Sequence, residues 1–162
     1  MPKVDLTQIP AKSGSGYPGK LSETMQGRST QRIGASSGLT QFGANLVHLA
    51  PGAMSSLRHY HMQQDEFVMV TAGQCTLIDD HGETQLSVGE CASFPASDTN
   101  GHHIVNKSDK NASFLVIGTH TEQETAYYSD LDMKVEIEGQ TFSFTKKDGS
   151  PLPADLTGIN TP

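Results

Sequence analysis

No run of apolar residues in this sequence approaches the ~20 that a helix needs to span a bilayer, and the opening Met1-Pro2-Lys3-Val4-Asp5 has no signal-peptide core. The expected location is the cytoplasm, with no membrane partner. Basic residues are also scarce. Eleven Lys and Arg face 18 Asp and Glu for a formal charge of −7, a balance that repels the nucleic-acid backbone and removes nucleic acid from the expected partners. Only two cysteines occur, Cys75 and Cys91, with no CxxC spacing. Both fall in strand-like stretches, so two buried, reduced thiols are expected rather than a disulfide or a zinc clamp. Helix-favouring windows with 3.6-residue periodicity are missing, as is any helix-turn-helix segment. There is no Ser-His-Asp arrangement, carboxylate dyad or phosphate-cradling loop.

What remains is a chain of 162 residues, enough for one compact domain. Its 16 glycines and 8 prolines punctuate short segments that alternate apolar and polar residues, the pattern of many short strands. Strands are expected at 39–49, 57–62, 66–71, 74–79, 83–88, 91–94, 102–106 and 113–120. Asp79-Asp-His-Gly82 and Glu138-Gly-Gln140 read as hairpin turns, the second between strands at 134–137 and 141–144. Residues 1–30 are rich in Gly, Ser, Thr and Pro and read as an extended arm. Residues 31–120 form the expected β-barrel core, and 121–162 a C-terminal hairpin and tail packed on the same domain. The apolar residues Val68, Val70, Leu77, Phe94, Ile104 and Leu115 are assigned to barrel packing. The sequons at Asn106 and Asn111 matter only in a secreted chain and are set aside.

The chemistry is concentrated in Arg58-His59-Tyr60-His61-Met62-Gln63-Gln64-Asp65-Glu66. Alternate residues of a strand share a face, so His59 and His61 point the same way and can converge on one ion. The polar segment 62–65 reads as a four-residue hairpin loop, which sets Glu66 opposite His61 and turns Asp65 to the other face. Two imidazoles and a carboxylate suit iron, manganese, nickel, cobalt or zinc, whereas calcium and magnesium prefer more oxygens. A fourth ligand is expected from His102 or His103, one of which faces inward. His48, His81 and His120 lack spaced partners and read as surface or structurally satisfied histidines. Arg58 should point away from the ligands.

Two stretches resemble the paired motifs of the cupin superfamily. The first runs from Gly52 to His59-x-His61, four residues, Glu66, six residues and Gly73; the second runs from Gly89 through Pro95 to His102, three residues and Asn106. Six residues separate Gly52 from His59 where five are usual, and Ser97 stands where the family usually has glycine. The resemblance covers roughly residues 39–120. It implies an all-β double-stranded β-helix, or jelly-roll barrel, with a divalent transition metal held by His59, His61, Glu66 and His102. It assigns Asn106 to packing and hydrogen bonding.

A metal so held leaves positions for a small oxygenated metabolite. By analogy with the family, the most specific expectation is a metal-dependent sugar or sugar-phosphate isomerase. An iron-dependent dioxygenase and a non-catalytic metabolite-binding sensor are the alternatives. A homodimer, formed by strand-edge pairing or arm exchange, is expected as in many related proteins.

Overall fold

In the computed structural model, residues 3–157 are described. In chain order the strands are β1 (Lys12–Ser13), β2 (Arg28–Gln31), β3 (Phe42–Leu49), β4 (His59–His61), β5 (Glu66–Ala72), β6 (Gln74–Asp79), β7 (Gly82–Ser87), β8 (Cys91–Phe94), β9 (His103–Val105), β10 (Ala112–Thr119), β11 (Gln123–Tyr128), β12 (Met133–Glu138) and β13 (Thr141–Thr145). Helical turns are short: α1 (Ile33–Ser36), α2 (Ala154–Thr157) and two 3-10 segments, Leu6–Gln8 and Gly19–Met25. Among the described residues no helix is long and apolar enough to cross a membrane.

The strands build two walls. One is a six-stranded sheet in the order β1-β2-β3-β10-β5-β8. The other joins β13-β12-β11-β4 to β9-β6-β7 through a bridge between His59 and His102, whose N–H and carbonyl groups bond reciprocally at 3.1 and 2.9 Å. All pairings are antiparallel, giving the all-β jelly-roll expected. Both anticipated hairpins are present: Asp79 pairs with Gly82 and Glu138 with Thr141, with Gly82 and Gly139 at φ of 119° and 58°. Such positive φ values are open to glycine at little steric cost.

Between the walls lies a core of Val47, Leu49, Val68, Val70, Ile104 and Phe114, with Cys75, Leu86 and smaller residues. Leu77 and Phe94 pack against it as expected. Leu115 does not. Along β10 the inward positions are Phe114 and Val116, and alternation turns Leu115 outward beside its pairing partners Leu46 and Met69. One cysteine also departs from expectation: Cys75 is buried, with its thiol pushed up to about 11 by desolvation, but Cys91 is exposed. Cys91 pairs with Met69, and its side chain shares the outer face of that wall. Both thiols are free.

The N-terminal segment contributes more than a surface wrap. β2 extends the six-stranded sheet beyond β3. Leu21 is buried with Ala126, Tyr128, Met133 and Val135 in a second cluster that Tyr17 and Phe144 help to close. Tyr17 meets Tyr128 edge-on at 5.6 Å and accepts the Leu57 N–H on its hydroxyl at 3.2 Å. This cluster lies directly behind His59, whose ring is 6.1 Å from that of Tyr128.

Asn106 is completely buried and uses its whole amide. It donates to the carbonyls of Leu49 and Lys110 at 2.9 and 2.7 Å and accepts from the Ser108 N–H and hydroxyl. Hydrogen bonding is thus its role, joining the end of β3 to the loop before β10. Asn106→Ala would strand two carbonyls and leave a cavity, so a loss of about 2–4 kcal/mol is expected in urea unfolding; a loss below about 1 kcal/mol would contradict this account.

Candidate metal centre

The first wall supplies Glu66, at the start of β5, and the second supplies the histidines. His59 and His61 are alternate residues of β4, and His102 is the bridge partner of His59 on the neighbouring chain segment. The expected hairpin between His61 and Glu66 is not formed. β4 pairs with β11, setting His61 against Ala126, while β5 pairs with β10 and β8. Segment 62–65 therefore crosses from one wall to the other. Glu66 still reaches the histidines because 66, 68 and 70 share the inward face of β5, and it approaches them across the core.

Ligand atoms of His59, His61 and Glu66 all lie within 4.8 Å of one another. The Nε2 atoms of His59 and His61 are 3.1 Å apart, and Glu66 Oε2 is 3.9 Å from His61 Nε2. His102 Nε2 lies 3.4 Å from Glu66 Oε1, while the His102 ring stacks on Phe94 with centroids 3.4 Å apart. Of the two candidates for fourth position, His102 is the inward one. His103 turns away, its Nδ1 2.9 Å from the Ser56 carbonyl. Asp65 also faces elsewhere and accepts the Ala96 N–H.

His59 and Glu66 carry the protonation that metal binding requires. Burial and the neighbouring His61 drive the His59 imidazole down to about 3, keeping it neutral. Its Nδ1 lies 2.9 Å from the Leu57 carbonyl, which places the proton there and leaves Nε2 as an acceptor. Glu66 is pushed up by burial, yet the hydrogen bond from His102 and the other two histidines outweigh this and hold it below the usual carboxylate range. Two ring nitrogens, those of His61 Nδ1 and His102 Nδ1, are buried without a hydrogen-bond partner. Imidazole nitrogens facing one carboxylate form a donor set that fits a divalent transition metal.

Beside the cluster is a cavity of about 120 Å³ whose lining includes His61, His102, Tyr60, Asp79, Asp98 and Asn100. Its lining contains no lysine or arginine. Ser97, the residue found where the family usually has glycine, adopts φ of 67° at this rim, the one positive φ among the described non-glycine residues. It is held there by its N–H to the His61 carbonyl and its hydroxyl to the Met62 carbonyl, both at 2.8 Å. Arg58 points away from the histidines, as expected, and binds Asp80 and Asp130. His48, His81 and His120 are remote from the cluster.

A family model for the cupin domain matches residues 45–118. The chain is also 59% identical to a cupin-superfamily sugar phosphate isomerase of Silicibacter pomeroyi, over 97% of this chain and 100% of that one, with a TM-score of 0.94. The chain belongs to the cupin superfamily. Two more distant structures show the same fold. A protein of Acidithiobacillus ferrooxidans, provisionally assigned as a sugar phosphate isomerase, is 20% identical over 91% of each chain with a TM-score of 0.78. A polyketide cyclase of Streptomyces resistomycificus is 20% identical over 74% of this cupin and 79% of its own chain, with a TM-score of 0.61. No curated protein matches in sequence.

Sequence reasoning missed one member of the site in this cupin. Glu124, on β11, is a buried carboxylate 3.8 Å from His61 Nδ1. The signal was available. In Gln123-Glu-Thr-Ala-Tyr-Tyr128, Glu124 shares the inward face with Ala126 and Tyr128, an acid at a period-two apolar position.

Proposed function

We propose that His59, His61, Glu66 and His102 hold a divalent transition metal and that this cupin interconverts an aldose and a ketose, as the free sugar or its phosphate. The observation that carries the proposal is the placement of the cluster beside a small cavity whose lining mixes Leu77, Phe94 and Pro95 with Asp79, Asp98 and Asn100, so that a chelating metabolite has polar neighbours beside the proposed metal. A bound ion supplies Lewis acidity to adjacent hydroxyl and carbonyl oxygens. The 59% identical relative, called a sugar phosphate isomerase, supports the choice of reaction. Iron-dependent dioxygenation and metabolite sensing use the same donor set and have no separate observation in their favour.

The chain's own residues divide the remaining work. His59 stays neutral and presents its Nε2 lone pair, His61 and His102 would supply the other two ring nitrogens, and ionised Glu66 would offset the charge of the ion. Asp79 accepts the His81 N–H and the Asn100 amide on its two oxygens, and is occupied in holding the wall. Asp98 accepts the Asn100 N–H on Oδ1, leaving Oδ2 as the acceptor for the proton that moves between C1 and C2.

Incubation of the metal-loaded protein with aldoses, ketoses and their phosphates, while product and oxygen are followed together, tests this directly. Expected are isomer formation without oxygen consumption, its loss on chelation, and its fall by roughly 10²–10⁴-fold in Asp98→Asn with metal content retained. Stoichiometric oxygen uptake would transfer the assignment to a dioxygenase. Metal-dependent binding without turnover would favour a sensor.

A further inference from the structure

Glu124 is fully enclosed by protein, in a place where a neutral side chain would serve the backbone as well. β11 and β4 end their pairing at Ala126 and His61. Just past that point the Met62 N–H still bonds the Thr125 carbonyl at 3.0 Å, and the carboxylate of Glu124, the preceding residue of β11, meets the same segment. It accepts the N–H of Met62 at 2.9 Å and of Gln63 at 3.1 Å. In return, Gln63 Oε1 accepts the Thr125 N–H at 2.9 Å. The start of the wall-crossing segment is thus clamped to β11.

The Met62 N–H also reaches the Thr125 carbonyl at 3.0 Å, so only the Gln63 N–H depends on this side chain for its acceptor, and a glutamine would provide one. A buried carboxylate instead brings a full charge out of water, at a cost of several kcal/mol unless it is matched. Among the described residues, no lysine or arginine pairs with it. The remaining neighbour is His61 Nδ1 at 3.8 Å, the ring nitrogen that has no hydrogen-bond partner. Burial pushes the Glu124 carboxyl up, but His61 and the Met62 and Gln63 N–H groups prevail, and it lies below its ordinary value.

We infer that Glu124 is a positioning residue of the cluster: the charge of its carboxylate, 3.8 Å from His61 Nδ1, favours the proton on that nitrogen and keeps Nε2 bare and turned toward His59 and Glu66. In His59 the Leu57 carbonyl does the same task. The Leu57 carbonyl acts through a hydrogen bond of 2.9 Å, whereas the Glu124 carboxylate acts across 3.8 Å through its full charge, which favours that tautomer and makes the opposite nitrogen more basic. The four-residue segment that carries the chain from His61 to Glu66 is anchored by the same group, so one side chain sets both a ring orientation and the spacing between two ligands.

The metal half of the test rests on the ligand set proposed above; the tautomer half does not. In metal-free wild-type protein, 15N NMR of the histidine rings should show His61 as the Nδ1–H tautomer. Glu124→Gln, which keeps an acceptor for Met62 and Gln63, should shift His61 toward Nε2–H and weaken zinc affinity by roughly tenfold to a hundredfold, with metal-free melting little changed. Glu124→Ala should lose both affinity and melting temperature. Unchanged tautomer populations together with less than a twofold change in zinc affinity in Glu124→Gln would overturn the inference. So would a wild-type His61 carrying its proton on Nε2, a result that needs no variant to fold. A wild type that binds no zinc would remove the proposed ligand set, while the metal-free tautomer would still decide the role of Glu124.

Discussion

His59→Ala, His61→Ala, Glu66→Ala and His102→Ala are each expected to weaken zinc or manganese binding by more than a hundredfold, beyond the tenfold to hundredfold typical of outer partners. Each removes a proposed ligand: His59, His61 and Glu66 bring ligand atoms within 4.8 Å of one another, and His102 stands 3.4 Å from Glu66. His103→Ala is the internal control. Its ring bonds to the Ser56 carbonyl outside the cluster, and its removal should leave binding within about threefold. Titration calorimetry on metal-free proteins, with melting temperatures recorded alongside, distinguishes lost ligands from lost fold. Undiminished binding in both Glu66→Ala and His102→Ala would discredit the four-residue set, because these two approach from opposite walls.

The second large effect is expected from acid on the metal-free protein. His59 is held neutral down to about 3 by burial, whereas in the unfolded chain it titrates near its ordinary value of ~6.5. Between these values the unfolded chain binds a proton that the native state refuses. Stability is therefore full above pH ~6.5 and falls as pH drops toward 3, by up to a factor of ten per pH unit for one such group. His103, lowered by burial, acts in the same direction. Glu66 and Glu124, both held below the ordinary carboxylate value, add losses once the pH is below about 4.5. Urea unfolding at pH 7.5, 6.5, 5.5 and 5.0 should show the decline, and His59→Gln should flatten it. Stability that is level or rising from pH 7 to 5 in the metal-free wild type would be incompatible with a neutral buried His59.

Much of this architecture was legible because period-two alternation and turn chemistry are local. β6, β8 and the two anticipated hairpins follow directly from those signals. β2 was not visible because Arg28-Ser-Thr-Gln31 is polar and half-buried throughout, with no alternation to read. Leu115 was misassigned for the opposite reason: Phe114, Leu115, Val116 and Ile117 are all apolar, and a continuous apolar run does not declare its inward face. The two motifs located the candidate ligands, but not the route between them. A four-residue segment closes a hairpin or crosses between walls equally well, and the difference depends on which strands pair far along the chain, here β4 with β11. The choice between His102 and His103 likewise depended on a tertiary bridge, that of His102 to His59.

Anomalous scattering from crystals of metal-loaded protein, collected on both sides of the absorption edge of the added metal, is the most direct test of the proposed centre. One peak per chain is predicted, enclosed by His59, His61, Glu66 and His102. A peak at another set of side chains, or none at full metal loading, would contradict it.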